Sequence, residues 1–365
     1  MNVLYLINYA GNGGSEKYVY NLINDYNGKK CNCFFAYNEG GELASQMAKD
    51  KVITFKLDMR NALDISAAKS LAKICRQNDI DIVHTHYPRE NVIANLAKHY
   101  CKGLRVVYTN HFLTESPFIW KTVNRLICRR TDSVIAVCNA SKQLLIRNGY
   151  PKKKINVIYN GAKEPDENVK STLREEFGID NGTFVIATLS RFSSEKRMDF
   201  AVTVASLMKK KTDKKFKFVL AGDGEQFEEV CNRVKQEGLS DTVYCIGYRT
   251  DGENILKGCD AFINCSETEA LSFAIVEALS HGKPCVVSDV GGNVEIVSET
   301  NSCGIVCRKD SPEDFANAFV SLMEDSRLYE KYSEGAKKSF EESFSLKKSL
   351  NDTFGVYENV FNNKR

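Results

Sequence analysis

Strand-length apolar runs alternate with longer amphipathic stretches along the whole chain, and they do so in two series. In the first half "NVLYLIN", "CNCFFAYN", "VITFKL", "DIVHTHY", "RVVYTNH", "SVIAVC" and "INVIYNG" read as strands, with amphipathic segments such as Glu16–Tyr26 and Leu63–Asn78 between several of them. After Gly161 a polar stretch, "AKEPDENVKSTLREEFGIDNGT", has the texture of a linker followed by a short helix. A second series follows: "FVIATLSRF", "KFVLAGDG", "TVYCIGY", "CDAFINCS", "PCVVSDVG" and "CGIVCR". Such alternation favours parallel strands, because each return passes over a sheet face as a helix. The expectation is an α/β protein with two doubly wound parallel sheets in tandem. A length of 365 residues, too long for one typical core, agrees with two domains.

Composition narrows the class. The hydrophobic share of 43% and charged share of 27% fit a soluble globular chain. The thirteen cysteines are scattered, with only Cys31 and Cys33 close and no C-x-x-C, which suits reduced thiols rather than a disulfide framework or zinc site. No apolar run approaches the roughly 18 residues of a membrane span. The opening "MNVLYLINYAGNGGSEK" lacks a basic leader and breaks into glycine, so a cytoplasmic protein is expected. The net charge of +3 hides an asymmetry: residues 1–164 carry 24 Lys and Arg against 13 Asp and Glu, residues 165–365 carry 26 against 34. Halves of opposite sign point to different partners, with no nucleic acid among them.

In doubly wound sheets ligands bind at the carboxyl ends of strands, so the loops there carry the argument. In "NYAGNGGSEKYVYNL", Gly11, Gly13 and Gly14 allow close backbone approach and the following helix N-terminus suits an anion, although a plain tight turn explains them equally. The spacing is not that of the G-x-G-x-x-G dinucleotide fingerprint. His111 ends the strand "RVVYTNHF", where an imidazole can hydrogen-bond a substrate hydroxyl, although a structural role is commoner. His84 and His86 in "HTHY" are expected on opposite faces of a strand, hence not joint metal ligands, with His86 the nearer to a ligand. Arg191 and Lys196 in "LSRFSSEKR" offer a planar fork and a point charge, which suits a diphosphate or merely a solvated loop.

The stretch "SETEALSFAIVEALSHGKP" sets Glu269 and Glu277 eight positions apart. A helix from Leu271 or Ser272 to His281 leaves Glu269 just outside its N-terminus, able to cap it. Glu277 is then displaced about 80° around the axis. Among Ile275, Val276, Ala278 and Leu279 it reads as a largely buried carboxylate that needs donors, such as the vicinal hydroxyls of a ribose or hexose.

These residues resemble the donor-binding signature of the retaining glycosyltransferases of family 4, of the "glycosyl transferases group 1" type. The likeness extends through "GGSEKYV", "TNH", "VIYNG", "LSRFSSEKR", "LAGDGE", "IGYRTD" and the E-x₇-E pair, in family order. It implies the GT-B fold, two Rossmann-like domains facing a cleft: an acceptor domain over 1–163, onto which the C-terminal helix at about 345–365 packs back, and a nucleotide-sugar domain over 164–344. It also implies roles. Arg191 and Lys196 match the pair that neutralises the donor diphosphate, Glu277 the glutamate on the ribose, and Glu269 the one that orients the transferred sugar. The amides of Ala270, Leu271 and Ser272 would meet the distal phosphate. Gly13 and Gly14 match the loop that approaches the diphosphate, Asn160 falls in the "VIYNG" motif at the donor site, and Gly247 with Tyr248 match the strand end near the base. His111 matches a histidine near the reacting sugar. Ala270 departs from the glycine common there, adding a methyl group near the phosphate.

The implied reaction is retaining transfer of a hexose or N-acetylhexosamine from a nucleotide diphosphate sugar, UDP before GDP. The implied acceptor is a saccharide or a polyprenyl-diphosphate-linked saccharide of cell-surface polysaccharide synthesis. A front-face mechanism is expected, with no divalent metal and no other cofactor; the lone D-x-D, Asp79 to Asp81, precedes a strand. A sugar-nucleotide 2-epimerase of the same fold is the alternative. "PFIWKTVNRLICRRTDSV" (117–134) interleaves Phe118, Ile119, Trp120 and Leu126 with Lys121, Arg125, Arg129 and Arg130, and Lys152, Lys153 and Lys154 add a second cluster. An anionic surface at the inner face of the plasma membrane is one partner they fit, and an ordinary packed amphipathic helix is the other reading.

Overall fold

In the computed structural model, residues 1–298 and 300–363 are described. The chain forms two compact units, Met1–Asn160 together with the chain from Lys348 onward, and Gly161–Lys347. The seven strands of the first are β1 (Asn2–Tyr9), β2 (Asn32–Glu39), β3 (Ile53–Lys56), β4 (Ile82–Thr85), β5 (Arg105–Asn110), β6 (Ser133–Ala136) and β7 (Ile155–Val157). They pair in parallel in the order β3-β2-β1-β4-β5-β6-β7. The six of the second are β8 (Phe184–Leu189), β9 (Phe216–Ala221), β10 (Val243–Gly247), β11 (Ala261–Asn264), β12 (Cys285–Ser288) and β13 (Gly304–Cys307). Their order is β10-β9-β8-β11-β12-β13, again parallel.

The near-continuous apolar runs follow from this topology. Central strands of a parallel sheet are covered on both faces, so β4, β6, β11 and β12 are buried at every position. Each unit has its own core: Leu4, Leu6, Leu71, Val83 and Val106 in the first, Phe218, Ile263, Phe315 and Phe319 in the second.

The helix Leu346–Asn362 lies on the first sheet. Its buried residues Ser349, Leu350, Thr353, Val356, Tyr357 and Val360 recur at helical spacing on one face. Tyr26 Oη donates to the Leu350 carbonyl, and Tyr18 Oη pairs with Thr353 Oγ1 at 3.3 Å.

In each sheet strand order reverses beside the first strand. The switch points lie between β1 and β4 and between β8 and β11. The crevice beyond the carboxyl ends of strands opens at such points, so side chains that follow these four strands are placed to meet a ligand.

Candidate active site

In the second unit two loops meet over the β8/β11 switch point. The loop after β8 runs through Arg191 to Arg197, and the loop after β11 from Cys265 to Ser272. Glu267 N–H donates to the Glu195 carbonyl at 2.8 Å, which ties them. Lys196 Nζ then lies 2.5 Å from Glu269 Oε2, with both side chains mostly buried. Arg197, at φ 55°, enters the next helix in the left-handed region. Its guanidinium donates to the Lys309 carbonyl at 2.9 Å and stacks over Phe200, contacts that hold this strained residue and fix where Lys196 points. Arg191 is exposed and has no ion pair among the described residues.

Glu269 is supported from behind by a fully buried polar network. Ser266 Oγ donates to Glu269 Oε2 at 3.2 Å. Asn264 Oδ1 accepts from Ser266 N–H at 3.2 Å and from Asn293 Nδ2 at 3.1 Å, while Ser288 Oγ donates to the Ser266 carbonyl at 2.6 Å. Gly292 N–H donates to the Glu269 carbonyl at 3.1 Å. A Cβ at Gly292 would stand 2.0 Å from the Ala270 oxygen, so only glycine allows this approach. Sequence reasoning passed over this network; the polar Asn264 at the end of an apolar strand was its one signal.

The helix after this loop is Phe273–Ser280, shorter than expected at both ends. Its cap is Ser272, whose Oγ accepts from Ile275 N–H at 3.4 Å, and not Glu269, which turns to Lys196 instead. Ala270, Leu271 and Ser272 therefore precede the helix. Ala270 is outside the left-handed region, so its methyl group strains no backbone there. Glu277 is half-buried: its neighbours Ile275, Val276, Ala278 and Leu279 face the core while it lies at the margin of that face. Gly247 ends β10 at φ 71°, a conformation that favours glycine, and Tyr248 beyond it is 63% exposed.

In the first unit Gly13 is the N-cap of the helix Gly14–Tyr26, with extended backbone. The first turn carries the buried Glu16, whose carboxylate accepts from Ser15 Oγ at 2.8 Å, so an acidic group already occupies the position where an anion was expected. Ser15 Oγ also meets Tyr87 Oη at 2.9 Å. Asn160 is buried, with Oδ1 unpaired among the described residues. Asp81 accepts Asn2 N–H at 2.8 Å where β4 begins, a structural use of the D-x-D.

The histidines correct an expectation. His84 and His86 do not diverge: their ring centroids are 4.4 Å apart. The opposite-face expectation fails because side chains two positions apart along an extended chain project to the same face, and β4 with the residue that follows it, His86, keeps that direction. His86 is fully buried, and its Nδ1 lies 3.2 Å from Nε2 of His111, which is half-buried just past β5. Burial pushes His84 and His111 down to about 3 and His86 well below its usual value, so all three rings are neutral.

Comparison with known proteins agrees with this construction. A family model described as Glycosyltransferase Family 4 matches residues 12–163, and one described as Glycosyl transferases group 1 matches residues 169–339. The chain is 28% identical over 316 residues to an Escherichia coli UDP-Gal:α-D-GlcNAc-diphosphoundecaprenol α-1,3-galactosyltransferase, covering 82% of this chain and 81% of that one. It is 26% identical over 312 residues to the N-acetyl-α-D-glucosaminyl L-malate synthase of Bacillus anthracis, covering 81% and 79%. Among solved structures, Anabaena Alr3699/HepE in complex with UDP superposes with a TM-score of 0.87 at 19% identity, over 98% of this chain and 100% of that one. A Rickettsia africae glycosyltransferase does so with 0.87 at 22%, over 99% of each. Two family models over the two parallel sheets, with glycosyltransferase relatives along most of the length, establish that this chain belongs to the family 4, group 1 glycosyltransferases of the GT-B fold.

Proposed function

We propose that the protein transfers a hexose or N-acetylhexosamine, with retention of configuration, from a UDP-sugar to a saccharide or polyprenyl-diphosphate-linked saccharide destined for a cell-surface polysaccharide. The observation that carries this reading is the Lys196–Glu269 pair over the β8/β11 switch point, an ammonium for a diphosphate beside a carboxylate for sugar hydroxyls. The relatives support the donor and acceptor classes: one is a UDP-galactose transferase with a diphosphoundecaprenol-linked acceptor, and a solved structure of another holds UDP.

In this mechanism Arg191 and Lys196 stabilise the charge that grows on the departing diphosphate, aided by the amides of Ala270, Leu271 and Ser272. Glu269 orients the sugar, Glu277 holds the ribose and Tyr248 lies against the base. The acceptor oxygen bonds to the anomeric carbon on the face from which the C–O bond to the diphosphate breaks. Its proton passes to the leaving phosphate oxygen. The two cationic side chains do the work a divalent metal does elsewhere, and turnover is expected in EDTA. Incubating the protein with UDP-sugars, with and without a lipid-linked acceptor, tests the reading by NMR of the new anomeric centre. A β-linked product from an α-donor, or an epimerised sugar without acceptor, would sink it.

We also propose that the protein acts at an anionic membrane surface. In the helix Phe118–Ile127 only Asn124 is buried; Phe118 is 83%, Ile119 75% and Leu126 67% exposed. These apolar groups do not pack, contrary to the ordinary amphipathic reading. Exposed Arg125, Arg129, Lys152 and Lys153 belong to the same basic segments. No helix among the described residues is long and apolar enough to cross a membrane.

A further inference from the structure

Three imidazoles crowd the carboxyl ends of β4 and β5, and they are not equivalent. His84 is held at both nitrogens, Nδ1 by Tyr357 Oη at 2.5 Å and Nε2 by Thr109 Oγ1 at 2.7 Å. It is a fixed strut. His86 is held at one nitrogen: Nδ1 meets His111 Nε2 at 3.2 Å, with the two ring planes within 23° of each other and the centroids 5.5 Å apart, as an in-plane hydrogen bond requires. Its Nε2 is buried and has no partner among the described residues. His111 is the least buried of the three, and its Nδ1 has no partner among the described residues. The rings in contact with the pair among the described residues are Tyr5, Tyr18 and His84, none of them charged at neutral pH.

Two neutral rings carry one proton each, and a contact of 3.2 Å takes one of them. If His111 were the donor, the proton of His86 would sit on Nε2, leaving an N–H sealed from water with no acceptor. Buried N–H groups without acceptors are rarer than buried acceptors without donors. With the proton on His86 Nδ1 the unsatisfied atom is a lone pair instead.

We propose that His86 is a positioning residue: it donates from Nδ1 to His111 Nε2, and so fixes His111 as the tautomer that carries its proton on Nδ1. His111 then offers a ligand a neutral N–H donor rather than a base. Its partner is an oxygen acceptor, a hydroxyl or ring oxygen of a sugar, and it removes no proton from one. This last step rests on reading His111 as a contact of the transferred sugar; the order of protons within the pair does not.

The test is ring-nitrogen NMR of the full-length protein labelled with ¹⁵N-histidine at pH 7, each ring assigned by substitution. The expected result is one tautomer for both rings, with His86 and His111 protonated on Nδ1. Protonation of His111 on Nε2 overturns the proposal, and the unsubstituted protein alone decides it. In His86→Leu the His111 ring should become a mixture of tautomers, with kcat lowered on the order of tenfold or more and the dissociation constant of UDP unchanged. His86→Asn, whose amide places a donor near Nδ1, should restore both. Failure of Asn to rescue kcat where Leu lowers it would count against positioning. The tautomer is read without substrate, so a protein inert toward every UDP-sugar, the failure of the glycosyl-transfer reading, is seen separately.

Discussion

Lys196 Nζ and Glu269 Oε2 stand 2.5 Å apart, although 73 residues separate them and each ends a different strand–loop unit. The contact exists because β8 and β11 are neighbours at the switch point while β9 and β10 lie to the far side. Their charges are thus coupled, and their effects on catalysis should not add. Lys196→Ala and Glu269→Ala should each lower kcat/KM by roughly two to three orders of magnitude. The double variant should lose less than the sum, with a coupling of about 0.5–3 kcal/mol. Steady-state kinetics of the cycle checks this. Strict additivity would mean that the pair does not act as a unit.

Glu277 should behave differently from Glu269. A ribose diol on a half-buried carboxylate makes charge-assisted hydrogen bonds worth about 1.5–3 kcal/mol, so Glu277→Ala should weaken free UDP by about 10- to 150-fold. Glu269→Ala should leave UDP affinity near that of the parent, since its proposed partner is the sugar. Titration calorimetry with UDP separates the two. Equal losses in both variants would erase the assignment of one glutamate to the nucleotide and the other to the sugar.

Glu90 sits outside this machinery and ought to govern the alkaline side of stability. It is fully buried, neither carboxylate oxygen has a hydrogen-bond partner among the described residues, Arg89 Nε comes no nearer than 4.0 Å, and burial pushes it up to about 7. A carboxyl group raised on folding contributes stability that is intact below about pH 4.5 and is lost as pH rises through 7. Glu90→Gln removes that titration. It should match the parent near pH 4.5 and exceed it at pH 8 by on the order of 2–3 kcal/mol. Urea unfolding at the two pH values decides; a pH-independent difference would show that Glu90 does not titrate in this range.

The histidines act on the acid side with the opposite sign. Their folded values lie below the usual one, with His84 and His111 near 3, so their contribution is intact above about pH 6.5 and falls away as pH drops toward 3. His281, which burial pushes down to about 4, joins them, and four such groups give a limb of up to about 5 kcal/mol per pH unit. Replacing His84 by Gln should flatten that limb by about a quarter, measured as unfolding free energy from pH 6.5 to 4.5. An unchanged slope would mean that His84 is charged in the folded protein.

How much of this was legible in the sequence depends on whether the cause was local. Strands and their order of appearance were readable, because burial on both faces writes an unbroken apolar run such as "VIAVC" (134–138). Lys196, Glu269 and Glu277 were readable as candidates from the loops that hold them. The pairing of Lys196 with Glu269 was not, since it depends on which strands become neighbours. His84 and His86 were misread because residues two apart were assigned to opposite faces, whereas the period of two places both on one side of the chain. The Asn264–Ser266–Asn293 network left only scattered polar residues, each unremarkable alone.

The exposed helix Phe118–Ile127 supplies its own reporter. Trp120 is the single tryptophan of the chain and lies on that helix beside Phe118 and Ile119. Burial of an exposed indole in the interfacial region of a bilayer shifts its emission to shorter wavelength, and aromatic rings favour that region. Vesicles containing anionic lipid should therefore shift the emission of the protein and sediment with it. Each exposed Arg or Lys near the surface adds about 1 kcal/mol, and the effect should weaken as salt rises. Lys152 and Lys153 are exposed without ion pairs among the described residues, so reversing both to Glu should reduce binding to anionic vesicles at low salt. Phe118→Asp should abolish the spectral shift even where weak electrostatic association persists, because it removes the most exposed apolar group beside the reporter. Neutral vesicles should give little of either effect. An emission maximum that stays fixed with anionic vesicles at low salt would show that the exposed apolar residues of this helix do not enter lipid.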